Sequence, residues 1–173
     1  MITCRRSCIS LLIILFYASC SIRPSGGGGG KFPSDKYFTS YYRGNNEMLY
    51  FFKPIKFKSE EASLEVDFTF ISKGDTVVDS VTMNYSIITI KQLKINDLKS
   101  IYFDSSKIAI GEQLFNELRG KNYTLRYTTK ISKQLSRTFS DKTSIKCTFN
   151  EKDVIFYNGS NDAKKSLLRF SAF

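Results

Sequence analysis

The sequence contains no histidine and no tryptophan, and it has only three prolines and four cysteines among its 173 residues. Histidine is the commonest general base and metal ligand at neutral pH, so its absence excludes a Ser-His-Asp triad and a Cys-His nucleophile. The chain also has no Cys-x-x-Cys pair and no glycine-rich phosphate loop between a strand and a helix. We therefore expect no catalytic residue, no metal site and no cofactor, and we expect a binding protein and not an enzyme.

The first 20 residues have the pattern of an export signal. Arg5-Arg6 provides a basic start, an apolar run extends from Ile9 to Phe16, and the segment ends in Tyr17-Ala18-Ser19-Cys20. A basic start, a short apolar stretch and a small-residue end are typical of a cleaved signal peptide. The apolar run is far shorter than the roughly 20 residues that a membrane-spanning helix needs. The pattern therefore predicts cleavage and not a membrane span.

The ending Ala18-Ser19-Cys20 resembles the lipobox of bacterial envelope lipoproteins, although Tyr17 stands where that motif usually has Leu. The resemblance implies that residues 1–19 are a lipoprotein signal peptide and that Cys20 is triacylated and becomes the first residue of the mature chain. Two or more acyl chains give stable anchoring, so we expect a lipid anchor in the outer membrane. An acidic cluster after the cysteine marks surface export in Bacteroidetes-type lipoproteins, and its absence here implies a protein that faces the periplasm. A plain secretory peptide cut after Ser19 is the alternative.

Residues 20–45 are predicted to form a tether between this anchor and a folded domain. Five consecutive glycines, Gly26–Gly30, behave as a flexible coil. Farther along, Ser34 is a residue type that caps helices. Three aromatic residues then have the i, i+3 and i+4 spacing of one helical face: Phe38, Tyr41 and Tyr42. This spacing predicts a short helix that docks on the domain, with an aromatic rim around a ligand as the alternative, and Gly44-Asn45-Asn46 predicts a turn after it.

From residue 46 onward, apolar and polar residues alternate, which is typical of strands with one buried and one solvent-facing side. Regular alternation covers Leu64–Phe70, Val81–Ile87, Tyr123–Ile131 and Ile145–Phe149. Less regular strands are predicted at Met48–Phe57, Leu98–Phe103, Val154–Tyr157 and Leu167–Phe173. About eight short strands with frequent turns predict an all-β fold, a single antiparallel β-sandwich over residues 46–173.

One short helix is predicted within this series of strands, at Glu112–Gly120. Leu114, Phe115 and Leu118 have the spacing of one helical stripe, and Gly120 is a typical residue after a helix C-terminus. In the strand predicted at Met48–Phe57, Pro54 indicates an edge position or a bulge because proline cannot donate a backbone hydrogen bond.

The predicted domain contains a single cysteine, Cys147. It shares one strand face with Ile145 and Phe149, and an exported chain with one cysteine in its body has no disulfide framework. We expect Cys147 to be a small apolar residue of the core and not a reactive thiol.

The formal net charge of the chain is +10. Lys53, Lys56 and Lys58 border the first predicted strand, and Arg126 and Lys130 share the polar face of another. These residues either keep the sheet soluble or contact an anionic membrane, glycolipid or polymer. The candidate binding surface combines basic residues with the N-terminal tyrosines: Tyr37, Tyr41, Tyr42, Arg126 and Lys130.

Paired carboxylates are the remaining route to catalysis, because a glycosidase needs two of them across a cleft. Glu60-Glu61, the pair Glu65 and Asp67, and the pair Asp75 and Asp79 are the candidates. Glu65 and Asp67 lie on the polar side of one predicted strand, where solvation is their expected role. A hydrolase is therefore the third hypothesis, after two binding functions.

The first functional hypothesis is a non-enzymatic envelope lipoprotein that docks a protein partner through a sheet edge or a polar sheet face. The second is a binding module for an anionic glycolipid or polymer at the outer membrane, which the lysine excess supports. We expect no nucleic-acid partner, because a protein held by lipid in the envelope does not meet chromosomal DNA.

Overall fold

Alternating residues build one antiparallel sheet in this protein, as the sequence predicts. The computed structural model describes residues 35–74, 76–77, 80–91, 97–150 and 152–173. The strands are β1 (Phe38–Gly44), β2 (Glu47–Phe52), β3 (Ile55–Lys58), β4 (Ala62–Lys73), β5 (Thr76–Val77), β6 (Val81–Thr89), β7 (Leu98–Phe103), β8 (Ser106–Ile108), β9 (Glu112–Arg119), β10 (Asn122–Ile131), β11 (Ser144–Phe149) and β12 (Lys152–Tyr157). The helices are α1 (Lys133–Ser136) and α2 (Asn161–Ser171). The predicted signal peptide, the glycine run, Ser34 and Cys20 lie outside the described residues.

The sheet divides into two branches at β4, its longest strand, which has 12 residues. On one side, β4 is followed by β6, β10 and β9. On the other side, the first half of β4 pairs with β3, and β3 leads through β12 and β11 to β7 and β8. The second half of β4 pairs with β2, which pairs with β1. Every pairing is antiparallel, so the predicted all-β antiparallel fold is confirmed.

The branch that begins with β3 and the branch that begins with β2 both contribute side chains to one aromatic and aliphatic core, which gives the fold its sandwich-like character. Phe68 of β4 stacks on Phe170 of α2 with ring centroids 4.0 Å apart. Phe139, in the connection after α1, contacts both Phe68 and Phe103 of β7. Cys147 is fully buried in this core, as predicted. Burial raises the pKa of its thiol to about 12, because a thiolate would lose its hydration there.

The predicted N-terminal helix is wrong, because Phe38–Gly44 is the strand β1. Asn45 and Asn46 both adopt positive φ, 52° and 61°, and join β1 to β2 in a tight hairpin. Asparagine tolerates this left-handed backbone, and two such residues in succession are typical of hairpin turns. The turn itself was predicted, but the domain already includes β1 and therefore begins before residue 46.

The helix predicted at Glu112–Gly120 is also wrong, because Glu112–Arg119 is the strand β9. Arg119 pairs with Asn122 of β10, so Gly120-Lys121 is a two-residue hairpin turn and not the end of a helix. Leu114 and Leu118 are exposed, and hydrogen bonding to β10 outweighs the helix propensity of this segment.

The C-terminal strand predicted at Leu167–Phe173 is replaced by α2. The Ser160 side chain accepts a hydrogen bond from the Ala163 amide at 3.1 Å and so caps the helix start. The helix buries four residues with helical spacing: Ala163, Ser166, Leu167 and Phe170. None of the helices in the part of the chain that the structure describes has the length and apolarity to cross a membrane.

The other predicted strands are present, with one division. The predicted strand Met48–Phe57 separates at Lys53-Pro54 into β2 and β3. These two strands then pair with different halves of β4. Pro54 therefore marks the point at which the sheet branches. The sequence predicted only an edge position or a bulge there.

Candidate functional site

The strands β4, β6 and β10 place polar side chains on the sheet face that points away from the core, which we call the outer face. One row across it, made by residues directly opposite each other, contains Lys56, Glu65, Ser86, Arg126 and Phe115. Antiparallel sheets commonly have one packed and one solvated face. Since the same strands carry the core on their other side, the sheet holds these outer residues in fixed positions.

Arg126 is the centre of a hydrogen-bonded network on the outer face. Its guanidinium donates to Asp67 Oδ2 at 2.6 Å and to Ser86 Oγ at 2.8 Å. Asn84 Nδ2 donates to the other oxygen of Asp67 at 2.7 Å. Both members of the ion pair are mostly buried, with 25% of the Arg126 side chain and 16% of the Asp67 side chain exposed. Arg126 therefore has a structural partner, which reduces its availability to an external anion.

The β1–β2 hairpin gives the outer face an exposed aromatic patch. The Tyr41 and Phe51 rings meet edge to face, with centroids 5.7 Å apart. Leu49 lies directly opposite Tyr41, and Ile71 lies opposite Leu49. We call Tyr41, Leu49, Phe51 and Ile71 the aromatic patch. Tyr41 is 48% exposed and Phe51 is 41% exposed, so apolar rings face solvent at this place.

The aromatic patch lies at an open edge of the sheet. β1 pairs with β2 on one side, and no described strand pairs with its other side. An unpaired strand edge presents free backbone N–H and C=O groups. The edge and the aromatic patch together form one surface with backbone donors, backbone acceptors and apolar rings.

The candidate residues identified from the sequence separate into three places. Tyr41, Arg126 and Lys130 share the outer face, and Lys130 lies in the same cross-strand row as Phe51. Three strand spacings, about 14 Å, separate Phe51 from Lys130. Tyr42 lies on the opposite side of β1, facing Met48, because neighbouring residues of a strand point to opposite faces. Tyr37 is half-buried outside the outer face.

Tyr37 lines a cleft of about 460 Å³ between β3 and the beginning of α2. Four lysines reach this cleft from three segments, and we call it the basic cleft: Lys36, Lys53, Lys56 and Lys58. The sequence indicated three of them as a cluster, but not Lys36. The helical spacing of Ala163, Ser166, Leu167 and Phe170 in the sequence was a detectable signal for α2, the helix that forms the opposite wall of the cleft.

Two ion pairs fix the start of the described chain against α2 beside the basic cleft. Lys36 Nζ lies 2.7 Å from Asp162 Oδ1, and Arg169 Nε donates to Asp35 Oδ2 at 3.0 Å. The ammonium of Lys36 lowers the pKa of the exposed Asp162 carboxyl through their hydrogen bond. The part of the predicted tether that contains Asp35 and Lys36 therefore has a defined position on the domain.

Three of the carboxylates considered for catalysis are bound to cations. Glu65 lies 2.9 Å from Lys56 Nζ, Asp67 pairs with Arg126, and Glu61 accepts a hydrogen bond from Lys152 at 2.5 Å. This hydrogen bond lowers the pKa of the exposed Glu61 carboxyl. The lowered pKa favours the ionised form of Glu61. Asp75 and Asp79 lie outside the described residues.

Comparison with known proteins adds no further information about this surface. No protein-family model matches the chain, and neither curated proteins nor solved structures show detectable similarity to it.

Proposed function

We propose that this protein is a non-enzymatic envelope lipoprotein, anchored at the outer membrane through Cys20, that docks an extended segment of a protein partner on the edge of β1. One observation supports this proposal above the others: the aromatic patch adjoins an unpaired strand edge. An extended peptide that adds to such an edge gains main-chain hydrogen bonds, and adjacent side-chain pockets give specificity.

The partner segment that fits this edge is an apolar strand flanked by acidic residues. Its apolar side chains would pack on Tyr41 and Phe51, which form a two-ring contact. Arg43, an exposed residue near the end of β1, supplies positive charge beside this edge, in a chain of formal net charge +10. Complementary charge steers association and fixes register.

Site-specific photo-crosslinking in the lipidated full-length chain tests this proposal. A photoreactive amino acid at Thr39, an exposed residue of β1, should give a discrete adduct in the envelope. The same probe at Lys107 on β8, another free edge in the described part of the sheet, is the matched control. The crosslinked residues, identified by mass spectrometry, should lie in an apolar segment with acidic flanks.

A synthetic peptide of that segment then measures the contact directly. It should bind the full-length protein saturably, and Tyr41→Ala should weaken the affinity by about 10-fold, the effect of losing a central aromatic contact. Equal adducts from Thr39 and Lys107, or peptide affinity unchanged by Tyr41→Ala, would contradict docking at β1.

The lipid anchor has its own test, which is independent of the partner. Mass spectrometry of the mature protein should find an acylated Cys20 as the first residue. An unmodified N-terminus at any other residue would overturn the anchor while leaving the docking edge open to test.

A further inference from the structure

We propose that the basic cleft binds phosphate groups of membrane headgroups, so that the domain makes a second, electrostatic contact with the membrane. The ligand class is a phosphate-bearing headgroup, from either an anionic phospholipid or lipopolysaccharide. This contact would be a separate activity from protein docking at β1.

The charge of the basic cleft favours an anion. Four lysines line it, against the single acid Asp162. Lys36 pairs with Asp162, and Lys56 pairs with Glu65 on the outer face. Lys53 and Lys58 take part in no ion pair with any residue that the structure describes, and both are exposed. The cleft is therefore lined by at least two lysines that have no counterion among the described residues.

The shape of the basic cleft also suits a headgroup better than a free ion. Ile55 and Ala163 are buried residues at its base, and Tyr37 and Pro54 add apolar surface beside the lysines. A volume of about 460 Å³ exceeds what one phosphate needs. Apolar surface between ammonium groups matches the glycerol or sugar part that carries a membrane phosphate.

The position of the basic cleft along the chain places it close to the proposed membrane anchor. Lys36 and Tyr37 line it, and they are among the first residues of the chain that the structure describes. This step depends on the proposed lipidation of Cys20. Fourteen residues, 21–34, then separate the lipid from the described domain, and a chain of that length reaches at most about 50 Å. Headgroup phosphates are therefore the most concentrated anions near the cleft.

Hydrogen exchange of the lipidated full-length protein in nanodiscs tests the proposal. Neutral phosphatidylcholine discs are compared with discs that also contain phosphatidylglycerol and with discs that contain lipopolysaccharide. Amides of residues 53–58 should exchange more slowly in one or both anionic discs, and added salt should reverse the effect. Protection in the phosphatidylglycerol discs alone identifies phospholipid as the source, and protection in the lipopolysaccharide discs alone identifies lipopolysaccharide.

Charge-reversal variants show whether the basic cleft is responsible. K53E/K58E should abolish the protection, because near a membrane each lysine contributes about five-fold in affinity. K107E/K142E makes the same change of charge at exposed positions outside the cleft and should retain the protection. Equal exchange in neutral and anionic discs, or equal loss in both variants, would overturn the proposal.

A variant that should bind phosphate more tightly separates the role of the cleft from misfolding, because misfolding can only weaken binding. Asp162→Asn removes the acid in the cleft and frees Lys36, so it should increase affinity for inorganic phosphate several-fold in a titration followed by amide NMR shifts of residues 53–58. Asp153→Asn is the matched control, since Asp153 of β12 is an exposed acid whose Oδ2 lies 3.3 Å from Lys146 Nζ. An unchanged or weaker phosphate affinity of Asp162→Asn would contradict the proposal. Because this titration needs no lipid, it distinguishes failure of the cleft from failure of the Cys20 anchor.

Discussion

The two faces of β4 show how one strand divides between stability and interaction. Leu64, Val66 and Phe68 point inward and are almost fully buried, whereas Glu65 and Asp67 between them point outward and are partly exposed. The inner face depends on shape and volume, since Phe68 packs against the aromatic rings of Phe170 in α2 and of Phe139. The outer face depends on charge pairs that the sheet holds in place. The residues that we propose for binding at the edge of β1 belong to neither group, and the same is true of Lys53 and Lys58 in the basic cleft.

The largest effect is expected on the inner side, from Phe170→Ala. Phe170 is buried, stacks on Phe68 and also contacts Phe52 with centroids 5.2 Å apart. Removal of such a side chain leaves a cavity and should lower the free energy of unfolding by about 4 kcal/mol. Urea denaturation of the wild-type and variant proteins measures it.

The control for this variant is Leu168→Ala in the same helix. Leu168 is half-exposed, so the substitution should cost less than about 1 kcal/mol. Similar losses for Phe170→Ala and Leu168→Ala would show that α2 does not pack as described and would remove the distinction between the two faces.

A smaller effect is expected on the outer face, from Asp67→Ala. The substitution leaves the guanidinium of Arg126 partly buried without its carboxylate and removes the acceptor for Asn84. Since the pair retains some solvent contact, we expect the free energy of unfolding to fall by about 2 kcal/mol. Urea denaturation again measures the change.

Glu65→Ala is the matched control, because it removes a neighbouring carboxylate of β4 whose partner Lys56 is largely exposed. Exposed pairs of this kind contribute less than about 1 kcal/mol. If Glu65→Ala costs as much as Asp67→Ala, burial does not distinguish the two pairs, and the outer face is a uniformly solvated surface.

The sequence predicted the strands of the inner face because strict alternation requires only neighbouring residues. Val81, Met83 and Tyr85 alternate with polar residues and are all fully buried in β6. The failures at β1 and β9 occurred where apolar residues fit both a helix and a strand. In these segments, pairing with β2 and with β10 determines that a strand forms and not a helix. The i, i+3 spacing of apolar residues does not reveal this pairing.

The candidate site was less predictable than the fold, because it depends on contacts between distant parts of the chain. Lys53, Lys56 and Lys58 are close together in the sequence and were visible as a cluster. Lys36 joins them through its ion pair with Asp162 of α2, a helix whose second half was predicted to be a strand. Tyr41 and Tyr42 appeared to form one surface under the helix prediction, but a strand directs them to opposite sides.

A third prediction concerns the pH dependence of the inner face. Cys147 has its pKa raised to about 12 in the folded protein, from 9.0, by burial. Its contribution is fully present below pH 9 and is lost as the pH rises towards 12, because the unfolded chain ionises first. Between pH 8 and pH 10, this effect should lower the free energy of unfolding by about 1.4 kcal/mol.

Cys147→Ala isolates the contribution of the thiol. The variant should be less stable than the wild-type protein at pH 8, but its stability should decrease by about 1.4 kcal/mol less than that of the wild-type protein between pH 8 and pH 10. Tyr85 and Tyr127 remain in both proteins, and since burial is the main cause of their raised pKa values, the burial part of their pH dependence cancels in the comparison. Parallel pH dependences would show that Cys147 reaches solvent, contrary to its place in the core.

The smallest effect on stability is expected at the edge of the outer face, from Tyr41→Ala. About half of the Tyr41 side chain is exposed, and its ring contact with Phe51 is the interaction that the substitution removes. The free energy of unfolding should change by less than about 1 kcal/mol, although the same substitution should weaken docking of the partner peptide by about 10-fold. Phe51→Ala makes the reciprocal truncation of the two-ring contact and should behave similarly in both assays. A large stability loss in Tyr41→Ala would mean that the aromatic patch belongs to the packed structure of the hairpin. A small stability loss together with loss of peptide binding would place interaction at the edge and stability in the core.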